Sequence, residues 1–417
     1  MDYATKNNIF LDMNEKNEDG QYPLLLACYQ NNIEMIHILI EYANKNNVIL
    51  ELNAKDKDGK YPLLMAIQSR NMEISQLLIE YCDKNNIILN DLYPLLYHCN
   101  KEYLYEEEEL LIDYANKCNI DLKLNDNMKN GNNLLVRICS FSKVGVLKKL
   151  LENASKHNTI LKLNEKDNDG KYPLLVACMD CTEKVKLLIE YANENHIILK
   201  VNEKDNSGKY PLLVAESIEI TKLLMEYADE NNIILEMNAK DNKGNYPLLY
   251  ACTSYKVEII KLLIDYANKH NIVLELNEKD KNGRYPVLCI SYKCVNENQK
   301  MEKAFKLLEE YANNNNIILN VNEKDNGTRY PLLNACLYNN IKLVHLLMEY
   351  ANKHNILLEL NETSEREQNP FECACTHNNI LIVKLLIDYA KKNNITLDRN
   401  TTTEQSAALK LLIKLFL

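Results

Sequence analysis

Short apolar runs and longer amphipathic runs take turns along this chain, separated by polar stretches rich in Asn, Asp, Lys and Gly. The segment from Asn238 to Leu276 shows one full cycle. Asn238-Ala-Lys-Asp-Asn-Lys-Gly-Asn245 places Asp, Asn and Gly where a tight turn needs left-handed or turn-competent backbone. Tyr246-Pro247 then opens a short helix, with proline at the first position, where a missing N–H costs nothing. Leu248-Leu249-Tyr250-Ala251-Cys252 continues it as far as Ser254-Tyr255. Farther on, Ile259, Ile260, Leu263, Ile264 and Ala267 fall at three- and four-residue spacings, which predicts a second helix with one buried stripe. Lys269-His270-Asn271 closes that helix, because cations suit its negative end and Asn tolerates the left-handed conformation beyond it. Ile272-Val-Leu-Glu-Leu-Asn277 leads out in a partly alternating, extended stretch. The unit is turn, short helix, longer helix, extended return.

Tyr-Pro-Leu-Leu marks the short helix at Tyr22, Tyr61, Tyr93, Tyr172, Tyr210, Tyr246 and Tyr330, with Tyr-Pro-Val-Leu at Tyr285. Worn copies stand at Asn133-Leu-Leu-Val and Asn369-Pro-Phe-Glu. Successive copies lie 39, 32, 40, 39, 38, 36, 39, 45 and 39 residues apart. A period of that size marks a stacked-repeat solenoid, in which no unit can bury its apolar face alone. The expected organisation is a partial N-terminal capping repeat over 1–21, about ten repeats over 22–400, and a C-terminal capping helix over 401–417. The repeats start near 22, 61, 93, 133, 172, 210, 246, 285, 330 and 369. The copy at Tyr93 has no Asp-Gly turn before it, so one turn finger should be missing there.

The unit resembles the ankyrin repeat, whose Asp-x-x-Gly turn, Thr-Pro-Leu-His-x-Ala and later Val-x-x-Leu-Leu match Asp167-Asn-Asp-Gly-Lys-Tyr-Pro-Leu-Leu-Val-Ala177 and Val185-Lys-Leu-Leu188. The resemblance covers nearly the whole chain. It implies an all-α solenoid of helix-turn-helix repeats, with β-turn or hairpin fingers and, in this lengthened version, extended outer-edge segments. Two substitutions depart from the family. Tyr replaces the helix-capping Thr and Leu replaces the His, so the polar bond between those two cannot form. Apolar packing is expected in its place, with the loss of a cap worth on the order of 1 kcal/mol.

Composition narrows the function classes. The formal charge of −10 disfavours a nucleic-acid backbone as the main partner. No apolar run is long enough to span a membrane, and the first residues lack the apolar core of a signal peptide. Asn, Lys, Ile and Tyr abound and Trp is absent, as in an AT-rich coding sequence, yet the asparagines keep fixed phases of the repeat. Seven of the 13 cysteines (Cys28, Cys99, Cys139, Cys178, Cys252, Cys336 and Cys375) share one position, six residues after the Tyr or its replacement. Ile67 fills the same slot in another copy, so the position is a small apolar one and the thiols should be free. The address expected is intracellular, cytoplasmic in the first place, with the nucleus left open.

Candidate chemistry is sparse. The histidines do not cluster, and His157, His196, His270 and His354 belong to outer-helix ends. Cys178-Met-Asp-Cys181 has no second pair at zinc-finger spacing. Glu106 to Glu109 should form a solvated face at a helix start. Neither a phosphate loop nor a catalytic motif occurs, so no enzyme, cofactor or metal is expected. The copies instead differ just after the shared Ala-Cys, at the inner-helix end. Ankyrin partners dock on the concave side, across turn tips and inner helices. That makes Tyr29, Arg70, Phe141, Tyr255, Tyr292 and Tyr338 the candidate anchors, since aromatics and Arg dominate interfaces. The resulting expectation is a monomeric, non-catalytic module that binds one or more proteins, and neither nucleic acid nor membrane. The alternative is a substrate adaptor for a ubiquitin ligase or similar complex, with the C-terminal helix as its second contact.

Overall fold

The structure is a computed structural model that describes residues 11–102, 104–125, 133–292, 298–363, 368–377 and 379–398. The expected N-terminal cap lies partly outside these residues and the helix 401–417 wholly outside them. The chain divides into two compact units, 1–199 and 200–417. In the first, inner helices Pro23–Tyr29, Pro62–Gln68, Leu92–Lys101, Leu134–Phe141 and Pro173–Asp180 alternate with outer helices Ile33–Lys45, Met72–Asn85, Tyr105–Lys117, Val144–Lys156 and Thr182–Glu194. In the second, inner helices Pro211–Val214, Pro247–Thr253, Pro286–Ser291, Pro331–Leu337 and Pro370–Thr376 alternate with outer helices Ile218–Glu230, Val257–Lys269, Asn298–Asn314, Ile341–Lys353 and Ile380–Lys392. No strand occurs among the described residues.

Each feature of the repeat has a local cause. The tyrosine before the inner helix is extended (Tyr246 φ −137°, ψ 163°) and makes no side-chain cap, while proline takes the first helical position. Apolar packing does not act alone in place of the lost cap, because the hydroxyl reaches the following repeat. Tyr22 donates to the Ala54 carbonyl at 3.0 Å, Tyr246 to Glu278 at 2.9 Å, Tyr285 to Glu323 at 2.7 Å and Tyr330 to Glu362 at 2.8 Å. The two worn copies recover the polar cap: Asn133 accepts from Leu135 and Val136, and Asn369 forms a capping box with Glu372.

The fingers are Asp-x-x-Gly turns whose aspartate accepts its own turn's N–H groups, as Asp280 does from Asn282 and Arg284. Neighbouring tips are joined through the backbone, Lys281 N–H to Lys243 O and Asn326 N–H to Asn282 O, each at 2.9 Å. Where Tyr93 lacks its turn, the helix starts at Leu92 after a left-handed Asp91. Pro94 then falls among the first four helix positions, whose N–H groups have no partner in the helix. A Cβ on Gly59, one finger earlier, would meet nothing within 4 Å, whereas one on Gly244 would come within 2.9 Å of Asp280 Cα. The missing finger is therefore real.

Outer helices end with a left-handed residue, usually Asn, as at Asn271 and Asn316. The extended return that follows is held from both sides. Asn277 donates to Ile318 O and accepts from Asn320 N–H, while Tyr350 accepts from Leu319 N–H. Asn153 stands where other outer helices carry tyrosine, and its amide does the same work, accepting from Leu122 N–H and donating to Ile120 O.

Candidate interaction surface

The first inner helix exposes one stripe, and most later ones open to solvent only at their C-terminal ends. Residues four, seven and eight places after the leading Tyr or Asn share a face, by helical spacing. In the first repeat these are Leu26, Tyr29 and Gln30, of which Leu26 and Tyr29 are each 37% exposed. Equivalent places hold Phe141 (44% exposed) and Met179 (39%) in later repeats of the same unit. The positions between them, such as Leu25, Ala27 and Cys28, are buried against the adjoining helices. Burial pushes the Cys28 thiol up to about 12, and each described cysteine is free.

The predicted anchors fall into two groups. In the first unit they stay apart. Tyr29 leans on the next finger, its hydroxyl 3.4 Å from Asp56 Oδ2. Arg70 sits in the left-handed region (φ 56°) and pairs with Glu102 at 2.9 Å, an exposed pair that adds little stability. Phe141 packs on the Arg137 guanidinium at 5.4 Å, which also lies 5.8 Å from the Tyr97 ring.

In the second unit the anchors are brought together. Tyr255, also left-handed (φ 51°), donates to the Tyr292 carbonyl. Tyr292 donates to Asp325, and burial, reinforced by that carboxylate, holds its phenol above the usual range. Arg329 lies 5.7 Å from the Tyr292 ring and 3.4 Å from the Tyr338 hydroxyl. One finger arginine thus links two of the three tyrosines, and Tyr255 joins through the backbone.

One variable position escaped the sequence reading. The fourth position, filled by Leu26, Met65, Tyr97, Arg137, Val176, Val214, Tyr250, Cys289, Asn334 and Cys373, varies more than any framework site, although it is exposed at Leu26, half-buried at Met65, Arg137 and Tyr250, and buried in the other copies. That variation was visible inside the repeating Tyr-Pro-Leu-Leu-x-Ala string. At Tyr250 it yields a polar contact, a 2.8 Å hydrogen bond to Glu216 that lowers the Glu216 carboxyl.

The acidic run 106–109 is the correction. Its helix starts at Tyr105 as expected, but Glu107 and Glu108 are buried, not solvated. The helix register turns them into the stack, where Asn100 and Ser142 donate to Glu108 Oε1 at 3.1 and 3.0 Å and Oε2 has no partner. Burial raises the Glu108 carboxyl, against those hydrogen bonds and the fields of Lys184 and Arg137. Lys184 is itself buried, donating to Cys139 O at 3.0 Å and to Asp180.

Among the described residues no group of three or more His, Cys, Asp or Glu is placed to hold a metal ion, and no helix is long and apolar enough to cross a membrane. Cys178 is buried, and Cys181 sits between its helix and the next.

Residues 3–91 match the family described as Ankyrin repeats (3 copies). Among solved structures similar to this chain is one described as "Crystal structure of the ankyrin repeat domain of Bcl-3: a unique member of the IkappaB protein family". It is 19% identical, with 65% of this chain and 95% of that chain covered and a TM-score of 0.33. No curated protein matches. The turn, inner helix, outer helix and return of the matched segment recur through the described residues as far as Lys392, so the fold of this chain is the ankyrin-repeat fold.

Proposed function

We propose that this chain is a non-catalytic binding array, monomeric, that takes one or more protein partners on the face made by its finger tips and inner-helix ends, the side expected to be concave. Ankyrin repeats in general mediate protein–protein interaction, and that much comes with the fold. One observation carries the finer reading. Positions that hold the stack together are the same in nearly every copy and buried, while the positions that differ gather at the inner-helix ends, which open to solvent at Tyr29, Phe141 and Met179, and in the first repeat also at Leu26. Side chains free of a packing role are the ones able to diversify for recognition. Tyr29, Arg70, Phe141, Tyr255, Tyr292 and Tyr338 remain the proposed anchors, with Leu26 and Tyr250 added.

The test starts from a partner captured from source cells with the full chain and identified by mass spectrometry. L26A/Y29A and F141A should each weaken its binding at least about tenfold while unfolding midpoints stay within about 1 kcal/mol of wild type. Unchanged binding with lowered midpoints would make these residues part of the core and remove the proposal.

A further inference from the structure

From the charge on its finger row, we infer that the second unit receives a carboxylate-rich segment of the partner, although the chain as a whole is acidic. The inference rests on the function proposed above and names the chemistry of what binds there.

The tips of the second unit carry Lys209, Lys243 and Lys281, all exposed, and none of them pairs with a carboxylate among the described residues. Arg329 joins them beside Tyr292 and Tyr338. The acids of these fingers keep their charge but are turned into their own turns, Asp205 and Asp280 being buried. Asp205 and Asp241 accept N–H groups of their own turns, and Asp280 also holds Arg284 at 2.6 Å. At the finger bases, Lys240–Glu278 and Lys279–Glu323 neutralise each other at 2.8 Å. On the adjoining helix ends, Glu216 is taken up by Tyr250 and Lys256. The fingers of the first unit also carry lysines, Lys57, Lys60 and Lys171, but set Glu18, Asp19, Asp58 and Asp169 among them, and Lys171 pairs with Asp169.

Rigidity adds to charge. Asn242 N–H to Ser207 O, Lys281 N–H to Lys243 O and Asn326 N–H to Asn282 O, each at 2.9 Å, lock successive tips together. The backbone that carries the cations is therefore fixed before a ligand arrives, which spares the part of the ordering cost that falls on the main chain. Packed helices lie about 8–10 Å apart and an extended chain advances about 3.3 Å per residue, so carboxylates about three residues apart come within reach of the lysine side chains of successive fingers, which leave their turns at different positions. Duplex DNA carries a charge every ~1.7 Å, far denser than one cation per finger. With few cations per finger and a chain whose net charge is −10, a short acidic protein segment is favoured over a phosphate backbone.

The full-length chain is titrated, with fluorescence anisotropy as readout, against a labelled synthetic peptide with glutamate at every third position between small uncharged residues. The same peptide with glutamine and a single-stranded oligonucleotide are the comparisons. The glutamate peptide should bind, more weakly as salt rises, and the glutamine peptide at least about tenfold less tightly. K209E/K243E/K281E should lose the glutamate peptide by at least about tenfold with an unchanged melting curve, and K209Q/K243Q/K281Q serves if the reversal disturbs the melt. Equal binding of the two peptides, a triple variant that binds like wild type, or an oligonucleotide that binds as tightly as the glutamate peptide would overturn the inference. The two readings fail separately. A captured protein that tolerates the lysine reversal but not L26A/Y29A leaves the interaction face standing and removes its acidic ligand.

Discussion

At the head of the inner helix a tyrosine ring fills space between repeats while its hydroxyl donates to a carbonyl of the next repeat, so a side chain that leaves its own helix uncapped ties two repeats together. Tyr246→Phe keeps the ring and removes the hydrogen bond to the Glu278 carbonyl, which should lower stability by about 0.5–1.5 kcal/mol in urea unfolding. An unchanged midpoint would show that the hydroxyl contributes nothing. Glu108 presents the opposite case, a buried acid whose charge the fold disfavours. A group raised in the folded state contributes stability that is full below its unfolded value, about 4.3, and lost as pH rises through the folded one. Glu108→Gln keeps an oxygen to accept from Asn100 and Ser142 and cannot ionise. Its stability should therefore gain on wild type as pH climbs from 4 to 7. A gap between the two proteins that stays constant with pH would count against burial of a charge at this position.

The finger is the element where one glycine separates two environments. Gly59 and Gly244 share the same backbone, with φ of 75° and 84°, but only Gly244 has the next finger against it. Gly59→Ala should lose only the cost of a left-handed alanine, about 1–2 kcal/mol. Gly244→Ala must also push the backbone of Asp280 and Lys281 away, and should exceed it by at least about 1 kcal/mol. Equal losses by thermal unfolding would place no finger beyond Gly244. The elements themselves were legible in the sequence because their causes are local: proline at the helix start, Asp-x-x-Gly in the turn, Asn past the outer helix, and the absent turn before Tyr93. What could not be read depends on the register between repeats. The target of the Tyr246 hydroxyl, the burial of Glu108 and the linking of Tyr292 and Tyr338 through Arg329 all require knowing which residue of one copy faces which of the next. The candidate anchors are legible because the copies differ there, and the fourth position differs as visibly inside the inner helix.

In a stack each repeat contacts only its neighbours, so damage should spread by nearest-neighbour steps and not through one shared core. The second unit offers a place to test this. Its first inner helix is four residues long, Pro211–Val214, because Ala215 turns out of the helix (ψ 98°) and Glu216 replaces the usual cysteine. Leu263 of the following repeat closes on that short helix, sharing a small gap with Leu212, Leu213, Ala215, Tyr250 and Ile259. It is 1% exposed, so Leu263→Ala enlarges a gap that both repeats line and should cost about 2–5 kcal/mol. Native-state hydrogen exchange should then quicken in Ile218–Glu230 and Val257–Lys269 together, while Ile341–Lys353, two repeats further on, keeps its protection. Exchange that quickened equally along the whole unit would mean a single cooperative core. Exchange that quickened only around residue 263 would mean that neighbouring repeats do not support one another.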